Sequence, residues 1–381
     1  MNNQVVMQVM QFAAPYKGSF IKSMEELDRN ITSCGGTMIW VFPEKCKATA
    51  WIDEFVNKYK GKVYFVSEPK RKFKFFCHGS LVGEVEKLIN LHKPTVVHSH
   101  FDGYDEFCAL AIKKSKSNAK HIIHCRNAHE PAVRFRDKIH KKIRNTLQYR
   151  FHCKKSLAIV LNNSFESELR KMGFKGKVIV CPNGIDESRV DYKNHSLKVS
   201  DKYKFLMFGG RGFTKGLDTV LDAVKILHNK YTEKYELNVT KSKDTSNFIK
   251  DKEFKLEDYP ELKLIDAREN VSELFAESDC FISASRGETF SNAIAEAMLG
   301  GLPIISSNIE GVSWAIGQKS VTLFEKENSQ ELATEMEKYI NGERTFTQEE
   351  LILSREYLLA NYTVDIWAKK MVDIYKKELG V

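Results

Sequence analysis

No stretch of this sequence is apolar for long enough to cross a membrane. The chain has 381 residues, 42% of them hydrophobic, yet none of its apolar runs approaches the roughly 18 residues that a transmembrane helix needs. Its 8 cysteines are scattered singly, with no C-x-x-C pair, which argues against a zinc site and is typical of a reducing cytosol. The first residues, MNNQVVMQVMQF, lack the features of a signal peptide and predict a strand instead. We therefore expect a cytoplasmic protein that holds no metal.

Positive charge exceeds negative charge, with a formal net charge of +9. It is densest in VRFRDKIHKKIRNTLQYRFHCKK, residues 133–155. Four apolar residues recur there at helical spacing: Val133, Ile139, Ile143 and Leu147. The pattern fits either a solvated helix that packs through this apolar face or a basic amphipathic helix that rests on an anionic membrane surface. No nucleic acid is expected as a partner, because the sequence has no motif that combines aromatic and basic residues for that purpose.

Strand-like apolar runs alternate with helical segments along the whole chain. The runs of the first half are QVVMQVM, TMIWVF, KVYFVS, TVVHSH, HIIHC, LAIVLNN and KVIVCPNG; those of the second half are FLMFGG, LNVT, LKLIDA, CFISAS, PIISS and VTLF. Such alternation predicts parallel sheets that helices cover on both faces. A polar segment without periodicity, residues 186–204, separates the halves as a linker. The sequence predicts two doubly wound α/β domains whose strand ends face a common cleft.

Two further segments carry local predictions. Residues 241–260 are rich in Lys and Asp and predict a surface excursion. The tail, VDIWAKKMVDIYKKEL, predicts one amphipathic helix with Ile366, Met371 and Ile374 near one stripe.

The stretch SRGETFSNAIAEAMLGG, residues 285–301, joins a strand-like run to a helix. Ser291 predicts the N-cap, and the unpaired amides at such a helix start favour phosphate oxygens. Glu288 lies in the loop and Glu296 on the helix; carboxylates accept hydrogen bonds from hydroxyls, such as those of a sugar and a ribose that flank a diphosphate. Helical periodicity alone would make Glu296 a surface residue, because it lies opposite the apolar stripe of the helix.

Several motifs, in order, resemble glycosyltransferase family 4 enzymes of the bacterial cell-surface polysaccharide or teichoic acid type. The stretch SRGETFSNAIAEAMLGG is similar to the family's E-x7-E signature, and KVIVCPNGID is similar to its strand that ends in NGID. The segments FLMFGGRGFTKGLDTVLDAV, VVHSHF, HIIHCRNAHEP and YKGSFIKSMEEL resemble further elements of the family. The resemblance implies a GT-B fold: an N-terminal Rossmann-like domain at 1–187, a nucleotide-sugar domain at 188–362, and a final helix at 363–381 that crosses back to the first domain.

The resemblance also implies a reaction. Such enzymes transfer a sugar from a nucleotide diphosphate sugar with retention of configuration, and they usually need no metal or other cofactor, so side-chain cations must stabilise the leaving diphosphate. Lys215 matches the family lysine, and Arg211 precedes it by four residues where the family often has five. The segment GGRGFTKG is not a Walker A loop, because its lysine precedes the last glycine.

The resemblance assigns the donor site residue by residue. Glu288 matches the glutamate that holds the hydroxyls of the donor sugar, and Glu296 the one that binds the ribose. The amides of Thr289, Phe290 and Ser291, which replace a commoner glycine-containing run, would approach the sugar and diphosphate. Two positions complete the predicted donor-binding set: Gly18, in the first loop, and Arg268, in the segment expected near the base.

Histidines at strand ends predict the acceptor side of the site. By resemblance, His124 lies near the acceptor hydroxyl and the transferred sugar, where a neutral imidazole could orient or relay a proton. His100 and Arg126 are further acceptor-side candidates. His98 and His129 lie at or beyond strand ends too, and each of these histidines could instead be a hydrogen-bonded structural residue.

The sequence therefore predicts a retaining glycosyltransferase that uses a nucleotide sugar, with a UDP-sugar favoured, and a cell-surface glycan, teichoic acid or lipid-linked acceptor. It would lie in the cytoplasm, with a peripheral position at the inner membrane face if residues 133–155 bind lipid. Two alternatives stay open: a non-catalytic GT-B-like partner or chaperone of another transferase, and a UDP-sugar epimerase.

Overall fold

The computed structural model describes residues 1–126, 135–192, 202–268 and 270–380. It divides into two compact units, one of Met1–Gly184 with Val364–Val381 and one of Ile185–Thr363. Within the described ranges, no helix combines the length and hydropathy of a membrane span.

The strands are short and mostly buried on both faces. They are β1 Val5–Met10, β2 Thr37–Pro43, β3 Val63–Val66, β4 Lys70–Lys72, β5 Phe76–His78, β6 Val96–His100, β7 Lys120–Cys125, β8 Leu157–Val160, β9 Val178–Val180, β10 Tyr203–Met207, β11 Tyr235–Thr240, β12 Leu262–Ile265, β13 Cys280–Ser283, β14 Ile304–Ser307 and β15 Val321–Phe324.

The helices connect these strands. They are α1 Gly18–Ser33, α2 Ile52–Lys58, α3 Leu81–His92, α4 Asp105–Lys114, α5 Phe135–Asn145, α6 Asn163–Lys171, α7 Leu217–Tyr231, α8 Lys243–Asp251, α9 Val271–Ala276, α10 Asn292–Leu299, α11 Ser329–Ile340, α12 Gln348–Tyr362 and α13 Val364–Leu379. A π-helical segment, Thr146–His152, follows α5.

The first unit is a seven-stranded parallel sheet in the order β3-β2-β1-β6-β7-β8-β9. The chain winds outward from β1 in one direction and then, from β6, in the other, so the order reverses between these two strands. One face packs against α1 and α13, and the other against α3 and α4. Apolar runs such as VVMQVM become central strands because both of their faces are covered.

The second unit repeats this plan with six parallel strands in the order β12-β11-β10-β13-β14-β15. Its order reverses between β10 and β13, and α7 and α11 supply much of one core layer. The predicted pair of doubly wound α/β units is therefore confirmed.

Two local predictions need correction, and one element was missed. Residues 243–251 form α8 rather than an excursion: Ser242 caps the helix by accepting a hydrogen bond from Thr245 N, and Ile249 is buried. In α13 the packed stripe is Trp367, Met371 and Tyr375, while Ile366 and Ile374 are only partly buried. The hairpin of β4 and β5 was not predicted at all.

For the basic segment 133–155, the structure does not match the first of the two expectations, a helix that packs through its apolar face. Its described part begins with α5 at residue 135, and Val133 lies outside the described residues. Ile139 and Ile143 are exposed instead of packed. The apolar stripe of this helix therefore faces outward in the first unit.

Candidate functional site

The second unit brings two motif loops together where its strand order reverses. β10 and β13 are neighbours, and the loop after β10 carries Lys215 while the loop after β13 carries Glu288. Ligands of open α/β sheets bind beyond the strand ends at such a reversal. The topology therefore places both predicted donor-site residues at the expected edge.

Lys215 and Glu288 form an ion pair. The Lys215 Nζ atom lies 2.6 Å from Glu288 Oε1, and Ser285 Oγ donates to the same oxygen at 2.9 Å. Both side chains remain partly exposed. A cation suited to phosphate and a carboxylate suited to hydroxyls are thus adjacent and within reach of a ligand.

Gly216 lets the Lys215 loop approach the end of β13. Its φ is +68°, and a Cβ atom built there would lie 1.9 Å from the carbonyl oxygen of Ala284. Any side chain would push the two loops apart. Arg211 is exposed in the same loop, and its carbonyl oxygen accepts a hydrogen bond from Lys215 N at 2.9 Å, so the two predicted phosphate-binding residues share one turn.

Arg286 clamps the two loops, and sequence reasoning did not single it out. Its guanidinium makes a bidentate pair with Asp218 at 2.8 and 2.9 Å, donates to Phe213 O at 2.6 Å, and bonds Glu327 at 2.5 Å. It also lies 4.2 Å from the centre of the Phe213 ring. Burial alone would raise the pKa of Asp218, but the hydrogen bonds from Arg286 outweigh it and hold that pKa below its ordinary value. The loop of Glu288 is thereby fixed to the loop of Lys215.

We expect Arg286→Lys to raise the KM for the nucleotide sugar about tenfold, equivalent to about 1.4 kcal/mol. Lysine is a point charge and cannot reproduce the bidentate pair together with the bond to Phe213 O. Steady-state kinetics would measure this change. Arg344→Lys is the matched control, because Arg344 pairs with Glu335 at 3.2 Å elsewhere in the same unit. An unchanged KM in the Arg286 variant would contradict the clamp.

The side chains after Glu288 mostly support the loop. Phe290 is buried and stacks on Trp314 with ring centres 4.9 Å apart. Ser291 stands at the N-cap of α10 but makes no side-chain cap bond there, unlike the predicted cap. Thr289 is partly exposed. The backbone around these residues, rather than their side chains, is the part suited to a ligand.

Glu296 is buried, although its position on the helix opposite the apolar stripe suggested a surface residue. Its Oε1 atom lies 2.7 Å from Arg189 Nε. Burial raises the pKa of Glu296, and the charge of Arg189 opposes that rise. Arg189 is the third residue after the NGID motif, and its nearness to that motif is the one sequence signal that could have revealed it. The structure does not bring Arg268 to Glu296 and Arg189: its guanidinium donates to Glu273 of α9 and to Glu277, the residue just after that helix.

In the first unit, Gly18 begins α1 with φ of +57°, a conformation that favours glycine. A Cβ atom there would meet the Tyr16 ring only at 3.8 Å. The backbone conformation, and not crowding, therefore accounts for this glycine. The structure leaves room beside it in the first loop.

A directional hydrogen-bond chain crosses the ends of β1, β6 and β7. Arg126 Nε can only donate, so at 3.3 Å it fixes His100 Nδ1 as an acceptor. His100 Nε2 then donates to Gln8 Oε1 at 2.8 Å, and Gln8 Nε2 donates to Tyr375 at 3.0 Å. The Tyr375 hydroxyl lies 2.7 Å from His98 Nδ1. The chain ties the final helix α13 to the sheet of its own unit.

The histidines of this cluster are neutral. Burial, together with the nearby Arg126 charge, holds the pKa values of His98, His100 and His124 well below the ordinary histidine value. Their ring nitrogens lie within 4.8 Å of one another, a spacing that could suit a metal. The donor set does not fit one, because both nitrogens of His100 are engaged by Arg126 and Gln8.

His124 and Arg126 lie together at the end of β7. The His124 ring is fully buried, with Trp367 6.3 Å away, and among the described residues neither ring nitrogen has a hydrogen-bond partner. Arg126 donates to Asn183 of the NGID motif at 2.8 Å and lies over the rings of Phe20 and Trp367. His129 lies outside the described residues.

Solved structures share this fold over nearly the whole chain. A glycosyltransferase from Rickettsia africae superposes with a TM-score of 0.74 at 17% identity, covering 99% of this chain and 98% of that one. HepE from Anabaena, in complex with UDP-glucose, gives 0.73 at 15% identity, covering 98% and 100%. The lipopolysaccharide outer core galactosyltransferase WaaB gives 0.68 at 13%, covering 98% and 100%. The two units thus form a GT-B fold.

Two family models match the sequence itself. Residues 51–189 match the model for Glycosyltransferase Family 4, and residues 203–341 match the model for Glycosyl transferases group 1. A search of curated protein sequences gives no significant match. Both models describe glycosyltransferases, and the two matched segments together with the shared fold support a glycosyltransferase.

Proposed function

We propose that this glycosyltransferase moves a hexose, with retention of configuration, from a UDP-sugar to a hydroxyl of a cell-surface glycan, teichoic acid or lipid-linked acceptor. The observation that carries the proposal is the contact between Lys215 and Glu288 at the reversal point of the second sheet. A cation suited to phosphate lies beside a carboxylate suited to hydroxyls, which supports a binding site that spans the diphosphate and the sugar.

The donor site divides by chemistry. Lys215 and Arg211 would neutralise the diphosphate, together with the backbone amides of residues 289–291 at the start of α10. Glu288 would accept hydrogen bonds from the sugar, and Glu296 from the ribose. Because protein cations supply the charge, we propose that neither a metal ion nor another cofactor is needed.

The reaction exchanges one bond at the anomeric carbon for another. The bond from this carbon to the diphosphate oxygen breaks, and the acceptor oxygen bonds the same carbon on the same face. The acceptor proton passes to the leaving phosphate oxygen, and the nucleoside diphosphate departs. His124, His100 and Arg126 form the proposed acceptor side. Of the two imidazoles, the neutral ring of His124 is the one that would orient a hydroxyl, because its nitrogens have no partner among the described residues, whereas both nitrogens of His100 are engaged.

The relatives support the choice of substrates. HepE was solved with UDP, with UDP and glucose, and with UDP-glucose, and WaaB is a lipopolysaccharide galactosyltransferase. A second relative, WaaG, is described as involved in lipopolysaccharide biosynthesis. UDP donors and cell-surface acceptors are therefore the first candidates for this chain.

We also propose a cytoplasmic location with a peripheral position at the inner face of the membrane. All 8 cysteines are free thiols, most of them buried, as suits a reducing compartment. The outward-facing isoleucines of α5, flanked by cations, favour lipid contact through residues 133–155.

A thermal-shift screen of nucleotide sugars tests the donor. At about 100 times its dissociation constant, a UDP-sugar should stabilise the protein by about 2.7 kcal/mol. For a unit of this size, that corresponds to a rise in Tm of several degrees, roughly 2–4 °C per kcal/mol. The shift should persist in EDTA, and GDP-sugars should give less. A flat response to every nucleotide sugar would contradict the proposal and favour the non-catalytic partner.

A further inference from the structure

The hairpin of β4 and β5 presents aromatic rings to solvent at an unusual turn. Phe73 and Lys74 form its tip with φ of +53° and +67°. Asparagine and glycine normally occupy such positions, and a bulky side chain there is strained. Phe73 is 67% exposed and Phe76 is 51% exposed, and their ring contacts are with the hairpin's own Lys72 and Phe75.

The base of the hairpin is held rigidly although its tip projects. Arg71 points inward, pairs with the buried carboxylate of Glu106, and lies 5.2 Å from the centre of the Phe107 ring. Glu106 also bonds His152 Nδ1 at 2.5 Å. Burial would raise the pKa of Glu106, but the bonds from His152 and Arg71 outweigh it and keep the carboxylate charged. The exposed tip therefore belongs to a fixed structure.

The outward face of α5 adjoins the hairpin in the same unit. Lys74 Nζ lies 3.3 Å from Asp137 Oδ1, and the Phe75 and His140 rings are 6.2 Å apart. Ile139 and Ile143 project from this face with 44% and 37% of their surface exposed. The hairpin and α5 also carry four exposed cations: Lys72, Arg136, Lys138 and Lys142.

The charge of the hairpin and of α5, together with their exposed apolar side chains, indicates the kind of partner that this surface would bind. Across 70–78 and 135–145, Asp137 is the one acidic residue, and it is already paired with Lys74. The exposed apolar side chains, Phe73 and Phe76 of the hairpin and Ile139 and Ile143 of α5, alternate in the sequence with lysines and arginines. Aromatic rings at the headgroup level favour binding to a bilayer surface, and so do lysines near anionic lipids. The two together should bind a bilayer more strongly than either alone.

We infer that the hairpin tip and the outward face of α5 form one docking surface for a bilayer that contains anionic lipid. Phe73 and Phe76 enter the headgroup region, and the cations of α5 and the hairpin contact lipid phosphates. This inference deepens the peripheral location proposed above and rests on it. It adds the hairpin as the element that inserts, while α5 supplies most of the charge.

The test is co-sedimentation of the full chain with vesicles of phosphatidylglycerol and phosphatidylcholine. Combining Phe73→Asn with Phe76→Ser should lower the partition coefficient about tenfold or more, because two rings lose their apolar contact. The matched control combines Ile352→Ser with Leu353→Ser, two exposed apolar residues of α12. Since asparagine tolerates positive φ, Phe73→Asn should leave the melting temperature unchanged or raise it.

A second variant separates charge from insertion. Lys138→Glu with Lys142→Glu should abolish binding to anionic vesicles, whereas Lys243→Glu with Lys250→Glu on α8 makes the same charge change and should keep it. Wild-type binding that survives loss of both rings would overturn the hairpin's role but leave the peripheral location standing. Equal binding to pure phosphatidylcholine, or no binding at all, would overturn the docking surface. UDP release measured without vesicles reports separately on the proposed enzyme activity.

Discussion

Glu288→Ala should reduce sugar transfer by about 10²–10³-fold while the protein stays folded. The carboxylate holds the sugar hydroxyls, and removing one preorganised charged partner of a transition state typically costs about 10²–10³ in kcat. The loss also frees Lys215, whose ammonium group now lies 2.6 Å from Glu288 Oε1 and would no longer be oriented. Sugar transfer would be measured as the rate of UDP release with the preferred donor and acceptor.

Glu288→Gln is the informative companion. Glutamine keeps the shape and one acceptor oxygen but removes the charge, so its activity should fall between those of the wild type and the alanine variant. Glu288 is partly exposed, and neither change should lower the melting temperature much. Near-normal turnover in Glu288→Ala would defeat the assignment of the donor site.

Lys215→Ala should lower kcat by about 10²–10³-fold, which corresponds to about 2.7–4 kcal/mol of transition-state stabilisation. The ammonium group is needed most as the diphosphate departs and gains charge, so the effect on kcat should exceed that on donor affinity. UDP should nevertheless bind more weakly, which isothermal titration would measure.

Lys241→Ala provides the matched control for this change. Lys241 is an exposed lysine of the same unit that pairs with Asp266 at 2.9 Å, so the two lysines differ mainly in position. If both variants kept the wild-type rate and UDP affinity, Lys215 would have no role at the diphosphate.

The sequence predicted the architecture well because the strand signals are strong and local. Runs such as TMIWVF and CFISAS are buried on both faces, and their alternation with helices allows few topologies. The meeting of Lys215 and Glu288 follows from this topology, since both lie beyond neighbouring strands. The family resemblance supplied their roles, which spacing alone could not give.

Roles that depend on partners far away in the sequence could not be predicted from the sequence. Arg286 gains its role from Asp218 and Glu327, which are 68 and 41 residues away, and nothing in the motif marks those partners. The burial of Glu296 depends in the same way on Arg189. Periodicity suggested that Glu296 is a surface residue, since it lies opposite the apolar stripe. It is buried because α10 is covered on more than that stripe.

The hairpin and the exposure of the apolar face of α5 were not predicted for a different reason. The segment KRKFKFFCH has no turn-forming residue at its tip, so the sequence carries no signal for a hairpin. In the structure, Phe73 and Lys74 take the positive-φ conformations that asparagine and glycine usually occupy. Periodicity in α5 placed Ile139 and Ile143 on one face but left open whether the protein or a membrane covers that face. A pattern of this kind shows which residues share a face and not what covers that face.

The most direct test is a crystal structure of the protein with a non-hydrolysable UDP-sugar. Lys215 Nζ should lie within hydrogen-bonding distance of a phosphate oxygen, Glu288 should bond sugar hydroxyls, and Glu296 should bond the ribose. A donor bound elsewhere, with Lys215 and Glu288 still paired to each other, would contradict the account.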